Sequence, residues 1–312
     1  MKSGIIISEA GMGRHPWLAF TLSFFLTGLG QVYNGDLAKG IAFFMLRVFT
    51  FIFPVAVIIF KNYDSYLSFF AAAAGLNVLI WLLSSVEAVF TARGLDVINL
   101  KKYNSLIFYI VYGVINISIL LSSYFLCSLF ISIEKVSNDD MNPSFFSDEY
   151  ILVNKYSINN LDIGDVVIYS NIESVNTGRI IAKAGEEYRY EGGKFYINDA
   201  ALPLGILSAE EMDYLGLDSF EELFYETNGK RRYPVKVFFE NNIEPDGKRK
   251  NAASRNMNSV QINKDMLLIS SDNRTSDKPD SVIAGESVKG RVEGVFFTFN
   301  FGRLFLKPCL ND

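Results

Sequence analysis

The chain has 312 residues, 50% of them hydrophobic, and a formal net charge of -5. Such a length suits about two domains, and the acidic balance argues against a nucleic-acid partner. The single histidine, His15, precedes the first apolar stretch, which excludes a His-based triad or a multi-histidine metal site in the second half; no metal and no cofactor are expected.

Apolar residues concentrate in residues 1–134. No charged side chain falls between Arg14 and Asp36, only Arg47 between Lys39 and Lys61, only Glu87 between Asp64 and Arg93, and none between Lys102 and Glu134. A helix crosses the hydrocarbon with roughly 20 apolar residues, so four stretches are candidate spans. The first, Trp17 to Leu26, soon meets Gly28, Gly30 and Gln31, which loosen a helix and need polar partners in lipid. It reads either as a span or as a re-entrant or interfacial segment, giving three or four spans in all. No small-residue cleavage site follows it, and the Tyr33-Asn34-Gly35-Asp36 turn runs straight into the next span, unlike a cleavable signal peptide. The fourth stretch, Ser105 to Ile133, is longer than one crossing needs and is expected to run past the lipid into the following domain.

Arg93, Lys101 and Lys102 lie between the third and fourth spans, whereas the loop from Lys61 to Tyr66 carries one Lys and one Asp. The positive-inside rule therefore places the former loop in the cytoplasm and residues 135–312 outside it. Arg47 and Glu87 lie at similar depth in antiparallel spans and are predicted to form an intramembrane ion pair, read either as functional or as a lock between two helices, with simple snorkelling as the other structural reading. Cys127, in the fourth span, and Cys309, near the C-terminus, are expected to be free thiols.

The second half reads as β structure. Tyr150 to Val153, Val166 to Tyr169, Arg179 to Ala182, Lys194 to Ile197, Met266 to Ile269 and Val295 to Phe299 are short β-prone runs between Gly, Asn and Asp turns. They predict a compact sandwich or barrel. A small α/β insertion, about 204–259, holds two helical starts, Ser208-Ala209-Glu210-Glu211 and Asp218-Ser219-Phe220-Glu221, each with a cap residue ahead of an acid. Its basic runs, Lys230-Arg231-Arg232 and Lys248-Arg249-Lys250, are read as solvated turns.

Five blocks, in order, resemble the type I signal peptidase family. Val136 to Phe145 followed by Tyr150 to Lys155 is similar to that family's Ser-Met-x-Pro-Thr and Val-x-Lys segment. Gly164 to Tyr169 resembles its Gly-Asp-Val-Val strand, and Gly178-Arg179-Ile180-Ile181-Ala182 with Gly185-Glu186 its Lys-Arg-Ile-Ile-Ala-x-Pro-Gly-Asp. Phe195-Tyr196-Ile197-Asn198 is similar to the Leu-Tyr-Val-Asn-Gly hairpin. Ser271-Asp272-Asn273-Arg274 with Asp280-Ser281 resembles the Gly-Asp-Asn-Arg box. The resemblance implies a membrane-anchored, mainly β domain facing away from the cytoplasm, with Asp272, Asn273 and Arg274 as a structural motif.

That family cleaves with a Ser nucleophile and a Lys base kept neutral by an apolar setting. Lined up on Met-x-Pro, the nucleophile position here is Asp140; lined up on Arg-Ile-Ile-Ala, the base position is Gly178. A carboxylate is a poor acyl-transfer nucleophile, and glycine has no side chain to accept a proton. Ser137, Ser144 and Ser147, with Lys135, Lys155 and Lys183, do not sit at the family's spacing; Lys183 lies an odd offset from Gly178, which on a regular strand faces it the other way. An aspartic mechanism needs two carboxylates sharing a proton, and only Asp139 is adjacent.

The resemblance further implies an extended-peptide groove lined by Val136, Met141, Phe145 and Thr177, where strand addition works without catalysis; the competing reading makes these ordinary core residues. Pro16 to Phe44, centred on Gly28-Leu29-Gly30-Gln31-Val32-Tyr33-Asn34-Gly35, resembles a small bacterial membrane domain with Gly-x-Gly-Gln-x-Tyr-Asn-Gly. The expectation is a multi-pass protein of the bacterial cytoplasmic (inner) membrane with an extracytoplasmic signal-peptidase-like domain. It would have lost its dyad and would bind exported polypeptides, signal peptides or a protein partner. A working peptidase with rearranged residues and a membrane scaffold are the alternatives.

Overall fold

The computed structural model describes residues 13–60, 66–95, 101–170, 174–217, 223–237, 259–276 and 280–310. They fall into two compact units, one of residues up to 61 with 69–128, the other chiefly Leu129–Asp312.

The first unit is helical: α1 (Pro16–Phe25), α2 (Leu29–Tyr33), α3 (Leu37–Phe60), α4 (Tyr66–Arg93) and α5 (Leu106–Phe130). Three of these, α3, α4 and α5, are long and apolar enough to cross a membrane. At 10 residues, α1 reaches only about 15 Å, half a hydrocarbon core. The first stretch therefore forms a helix shorter than one crossing needs.

The glycine motif explains why it stops. Gly28 ends the α1 connection with φ +89°, and a Cβ there would collide with the Gly40 carbonyl and lie 2.6 Å from the Tyr112 hydroxyl; one on Gly30 would collide with the Ala19 carbonyl. A turn this tight leaves backbone groups without helical partners, and neighbouring helices supply them. Ser84 Oγ accepts from Gly28 N at 3.3 Å and Ser23 Oγ from Gly30 N at 3.0 Å. Gln31 Nε2 donates to the Ser84 carbonyl at 2.6 Å, Asn34 Nδ2 to that of Ala88 at 2.8 Å, and Asn116 Nδ2 to that of Thr27 at 3.0 Å. Small side chains at Ala19, Ala88 and Ala92 let the backbones approach around Tyr33.

The predicted Arg47–Glu87 pair does not form. Glu87 Oε1 takes the Lys39 ammonium at 3.0 Å and the Thr91 hydroxyl at 2.8 Å, while its Oε2 accepts from Gln31 Nε2 at 2.9 Å. Arg47 instead donates to the Thr27 hydroxyl and lies over the Trp81 ring. Lys39, at the charged boundary of the second apolar stretch, sits two turns nearer the helix start than Arg47, roughly 12 Å along the axis, at the level of Glu87.

The second unit is mainly antiparallel β. Its strands are β1 (Ile131–Lys135), β2 (Tyr150–Asn154), β3 (Val166–Ser170), β4 (Val175–Lys183), β5 (Glu187–Glu191), β6 (Lys194–Ile197), β7 (Ala200–Ala201), β8 (Leu204–Ile206), β9 (Phe224–Asn228), β10 (Arg231–Val235), β11 (Val260–Gln261), β12 (Met266–Ser270), β13 (Ser281–Ala284) and β14 (Val288–Phe297), with a helix α6 (Ala209–Tyr214) between β8 and β9. A seven-stranded sheet runs β1-β2-β14-β3-β4-β12-β13; two smaller sheets run β10-β9-β8 and β11-β5-β6-β7. The apolar run from Ser105 continues past α5 not as helix but as β1, whose outer edge pairs with no other described strand.

The insertion is built into the core. Leu207, Leu215 and Leu223 pack in one buried cluster with Val136, Met141, Phe145, Ile151 and Val295, and Tyr233 and Val235 join Ile181, Phe195 and Leu268 in another. The Ser208 capping box forms as expected, with Glu211 N donating to Ser208 Oγ at 3.2 Å and Ser208 N to Glu211 Oε2 at 2.8 Å. The basic turn is not simply solvated: Arg231 pairs with buried Asp165 at 2.6 Å and Arg232 with Glu211 at 2.5 Å. The second helical start, Asp218 to Glu221, and the Lys248 to Lys250 run lie outside the described residues.

Candidate functional site

The residues at the two expected catalytic positions lie on either side of one framework. After β1 the chain turns through Val136 to Glu149, and the turn is closed by Val136 N to Glu149 O at 2.8 Å and Asp148 N to Val136 O at 2.9 Å. Glu149 is buried against Arg303, Nε to Oε1 2.7 Å, and Arg303 Nη2 also donates to the Ser144 carbonyl at 2.9 Å. Two residues of the Asp-Asn-Arg box, Asp272 through the Ser144 hydroxyl and Asn273, hold the same turn from the other side. Asp272 receives Arg179 Nε at 2.7 Å and Nη2 at 2.6 Å, both residues fully buried. Burial works against the Arg179 charge, but the Asp272 carboxylate more than offsets it and holds the guanidinium protonated. Asn273 fixes the candidate nucleophile position itself: its N–H donates to the Asp140 carbonyl at 2.9 Å and its Nδ2 to the Asp139 carbonyl at 3.1 Å. Arg274 pairs with buried Glu226 at 3.1 Å and stacks over Phe195.

Asp140 is half-buried, with its backbone N–H on Asn138 Oδ1 at 3.3 Å. Gly178 is buried on β4, opposite Val167 of β3. The space beside it is occupied. A Cβ built on Gly178 would overlap the Cγ2 methyl of Ile269, and would stand 3.3 Å from the Ser270 carbonyl and 3.4 Å from the Tyr169 ring. A side chain there would have to displace the Ile269, Tyr169, Val167, Ile180 and Val288 cluster. Burial, with Asp140 and Asp280 nearby, holds the Tyr169 phenol above its ordinary value, against a hydrogen bond from Ser281, so it stays neutral. Asp280 is itself buried, and neither carboxylate oxygen has a hydrogen-bond partner among the described residues.

Three of the other Ser and Lys candidates, Ser144, Lys135 and Lys183, are engaged elsewhere. Ser144 Oγ donates to Asp272 Oδ2 at 2.5 Å and accepts from Arg179 Nη2 at 3.0 Å. Lys135 pairs with Asp148 at 2.7 Å. Lys183 donates to the Leu161 carbonyl at 2.6 Å and to Asp162 at 3.0 Å. The parity expected for Lys183 fails, because β4 bulges where Leu268 pairs Ala182 but Ile269 pairs Ile180. Lys183 stands opposite Leu267, which packs on the Ile269 and Tyr169 cluster. It shares the Gly178 face after all, yet its ammonium is held by Leu161 and Asp162.

The predicted groove is also corrected. Val136, Met141 and Phe145 are core residues, 4%, 0% and 0% exposed, because the turn after β1 folds its apolar side chains onto β2, β3 and the insertion. Only Thr177, half-buried on β4, keeps exposed surface. Sequence reasoning missed Ile269 as a determinant of the site. A glycine inside a strand signals close approach by another group, and that signal at Gly178 points to a neighbour without naming it.

An antiparallel β domain with an Asp-Asn-Arg box pinning the segment after the first strand defines a signal-peptidase-like scaffold. The sequence profile described as "Signal peptidase, peptidase S26" matches residues 109–297, more than half of the chain, and the protein belongs to that family. Among curated relatives, proteins named "Inactive signal peptidase IA" from Staphylococcus aureus strains Mu50 and N315 are 29% identical over 90 residues, and the one from strain MRSA252 is 28% identical. Each match covers 28% of this chain and 52% of the relative, so the chain spans about half the length of the curated relatives it matches. A solved signal peptidase I from Enterococcus faecalis V583 aligns with 42% of this chain and 96% of its own, at 17% identity and a TM-score of 0.23.

Proposed function

We propose that this protein is a catalytically inactive member of the signal peptidase family that binds exported polypeptides at the outer face of the bacterial cytoplasmic membrane. Residues 1–134 anchor it there, and residues 135–312 form the extracytoplasmic domain. The observation that carries the loss of catalysis is the packed space at Gly178. The base is not merely substituted; its room is filled by Ile269 and Tyr169, and Asp140 stands at the nucleophile position. The name of the Staphylococcus relatives supports the same reading.

Binding rests on the outer edge of β1, which pairs with no other described strand and runs from residue 131 to 135 toward Asp140 with Ile133 exposed. An extended chain can add to such an edge through main-chain hydrogen bonds, and this mode needs neither dyad residue.

The test uses purified full-length protein in liposomes with a preprotein carrying a known signal sequence. No cleavage is expected from the wild type or from the Asp140→Ser, Gly178→Lys double variant. A photo-crosslinker replacing Ile133 should still capture the preprotein near its signal sequence. A discrete cut by the wild type would overturn the inactive reading; cleavage absent and crosslinking absent would overturn the binding reading.

A further inference from the structure

We infer that the membrane unit holds one anionic phospholipid, its acyl chain in a groove between α3 and α5 and its phosphate at Lys101. The groove has a volume of about 290 Å³ and is walled by Leu37, Ile41 and Met45 of α3 and Phe108, Ile115 and Ile119 of α5. These recur at helical spacing on one face of each helix. From Phe108 to Ile119 it runs roughly 17 Å at about 1.5 Å per residue, a little over half of a hydrocarbon core of about 30 Å. It therefore serves one leaflet. A transmembrane helix, about 10 Å across and spanning both leaflets, does not suit it; a single acyl chain does.

The end at which the groove starts carries the charge. Lys101 Nζ donates to the Gly35 carbonyl at 2.9 Å, two residues before Leu37, and lies 5.6 Å from the centre of the Tyr103 ring, which in turn is 5.9 Å from that of Phe108. An ammonium has three donors, and among the described residues Lys101 uses one of them, on Gly35. Lys102 beside it is exposed, and neither lysine has a carboxylate partner among the described residues. By contrast the nearby Lys39 is already neutralised by Glu87 and Asp36. A basic pair at the interface above an apolar slot one leaflet deep fits the phosphate and one tail of an anionic lipid.

The test is native mass spectrometry of full-length protein released from nanodiscs of equal phosphatidylglycerol and phosphatidylcholine. Retained lipid should favour phosphatidylglycerol by roughly tenfold. The Lys101→Gln, Lys102→Gln variant should bring that ratio near one, and Lys102→Gln alone, which breaks no hydrogen bond to a described residue, should lower it part of the way. Ile115→Trp, at a position open to lipid, should fill the slot and strip lipid of both kinds. Equal retention of the two lipids by the wild type, a preference that survives loss of both lysines, or full retention in Ile115→Trp would each overturn the assignment. So would displacement of phosphatidylglycerol by soluble glycerol phosphate, since that would mark a phosphate site with no need of the groove.

Discussion

The Cγ2 methyl of Ile269 occupies the space that any side chain on Gly178 would enter. Overpacking of a filled core costs about 1–3 kcal/mol, so Gly178→Ala should lower the melting temperature of the β domain, and Ile269→Ala in the same chain should recover much of the loss. Thermal unfolding of the two single variants and the double variant measures this directly; additive losses would show that the two positions do not compete for one space. The same relationship means that a lysine restored at Gly178 has nowhere to lie unless Ile269 is cut back with it.

Ser144, Arg179 and Asp272 form one buried unit, with Ser144 Oγ on Asp272 Oδ2 and Arg179 clasping both. Removing one partner of a buried ion pair costs about 3–5 kcal/mol, so Asp272→Ala should approach the unfolding limit of the domain. Ser144→Ala leaves the pair whole and should cost only about 1–3 kcal/mol. Unfolding by denaturant would rank them; a Ser144→Ala loss equal to that of Asp272→Ala would contradict a supporting role for the serine.

A third expectation concerns pH. Burial pushes the Glu211 carboxyl up, but the Ser208 N–H and hydroxyl together with Arg232 hold it below its ordinary value of 4.5. A carboxyl depressed in the folded state contributes stability that is present above its unfolded value and disappears as pH falls through the folded one. The advantage of the wild type over Glu211→Gln, about 0.5–1 kcal/mol for a cap of this kind, should therefore hold at neutral pH and vanish only below about pH 4.5. An advantage that stayed constant down the acid range would show that the carboxylate charge plays no part.

Much of this architecture is legible from the residues. Charge-poor stretches mark the three long helices, and β-prone runs such as Val166 to Tyr169 and Met266 to Ile269 mark central strands, because both signals are local. The capping box at Ser208 is equally local. What escaped depends on tertiary register. Ile131 to Ile133 reads as more of the preceding span, since the same apolar side chains suit a membrane helix and a strand. The β4 bulge reverses the parity that strict alternation gives Lys183, and nothing in the sequence near Lys183 announces it. Met141 and Phe145 look equally suited to a groove or a core; their burial is decided by the insertion folding over them.

The Lys39–Glu87 contact at 3.0 Å places the polar lock of the membrane unit on the first turn of α3 rather than at Arg47. Glu87 also takes Gln31 and Thr91, so it ties the glycine-rich turn to α4. A double-mutant cycle between Lys39→Met and Glu87→Gln should give a coupling of at least 0.5 kcal/mol, as expected of side chains in one network. The cycle between Arg47→Met and Glu87→Gln should add within about 0.3–0.5 kcal/mol, as for independent sites. Arg47→Met should act instead through the Thr27 hydroxyl and the Trp81 ring. Unfolding of the helical unit in mixed micelles reads both cycles. Strong coupling of Arg47 with Glu87 and none with Lys39 would restore the pairing that the sequence suggests.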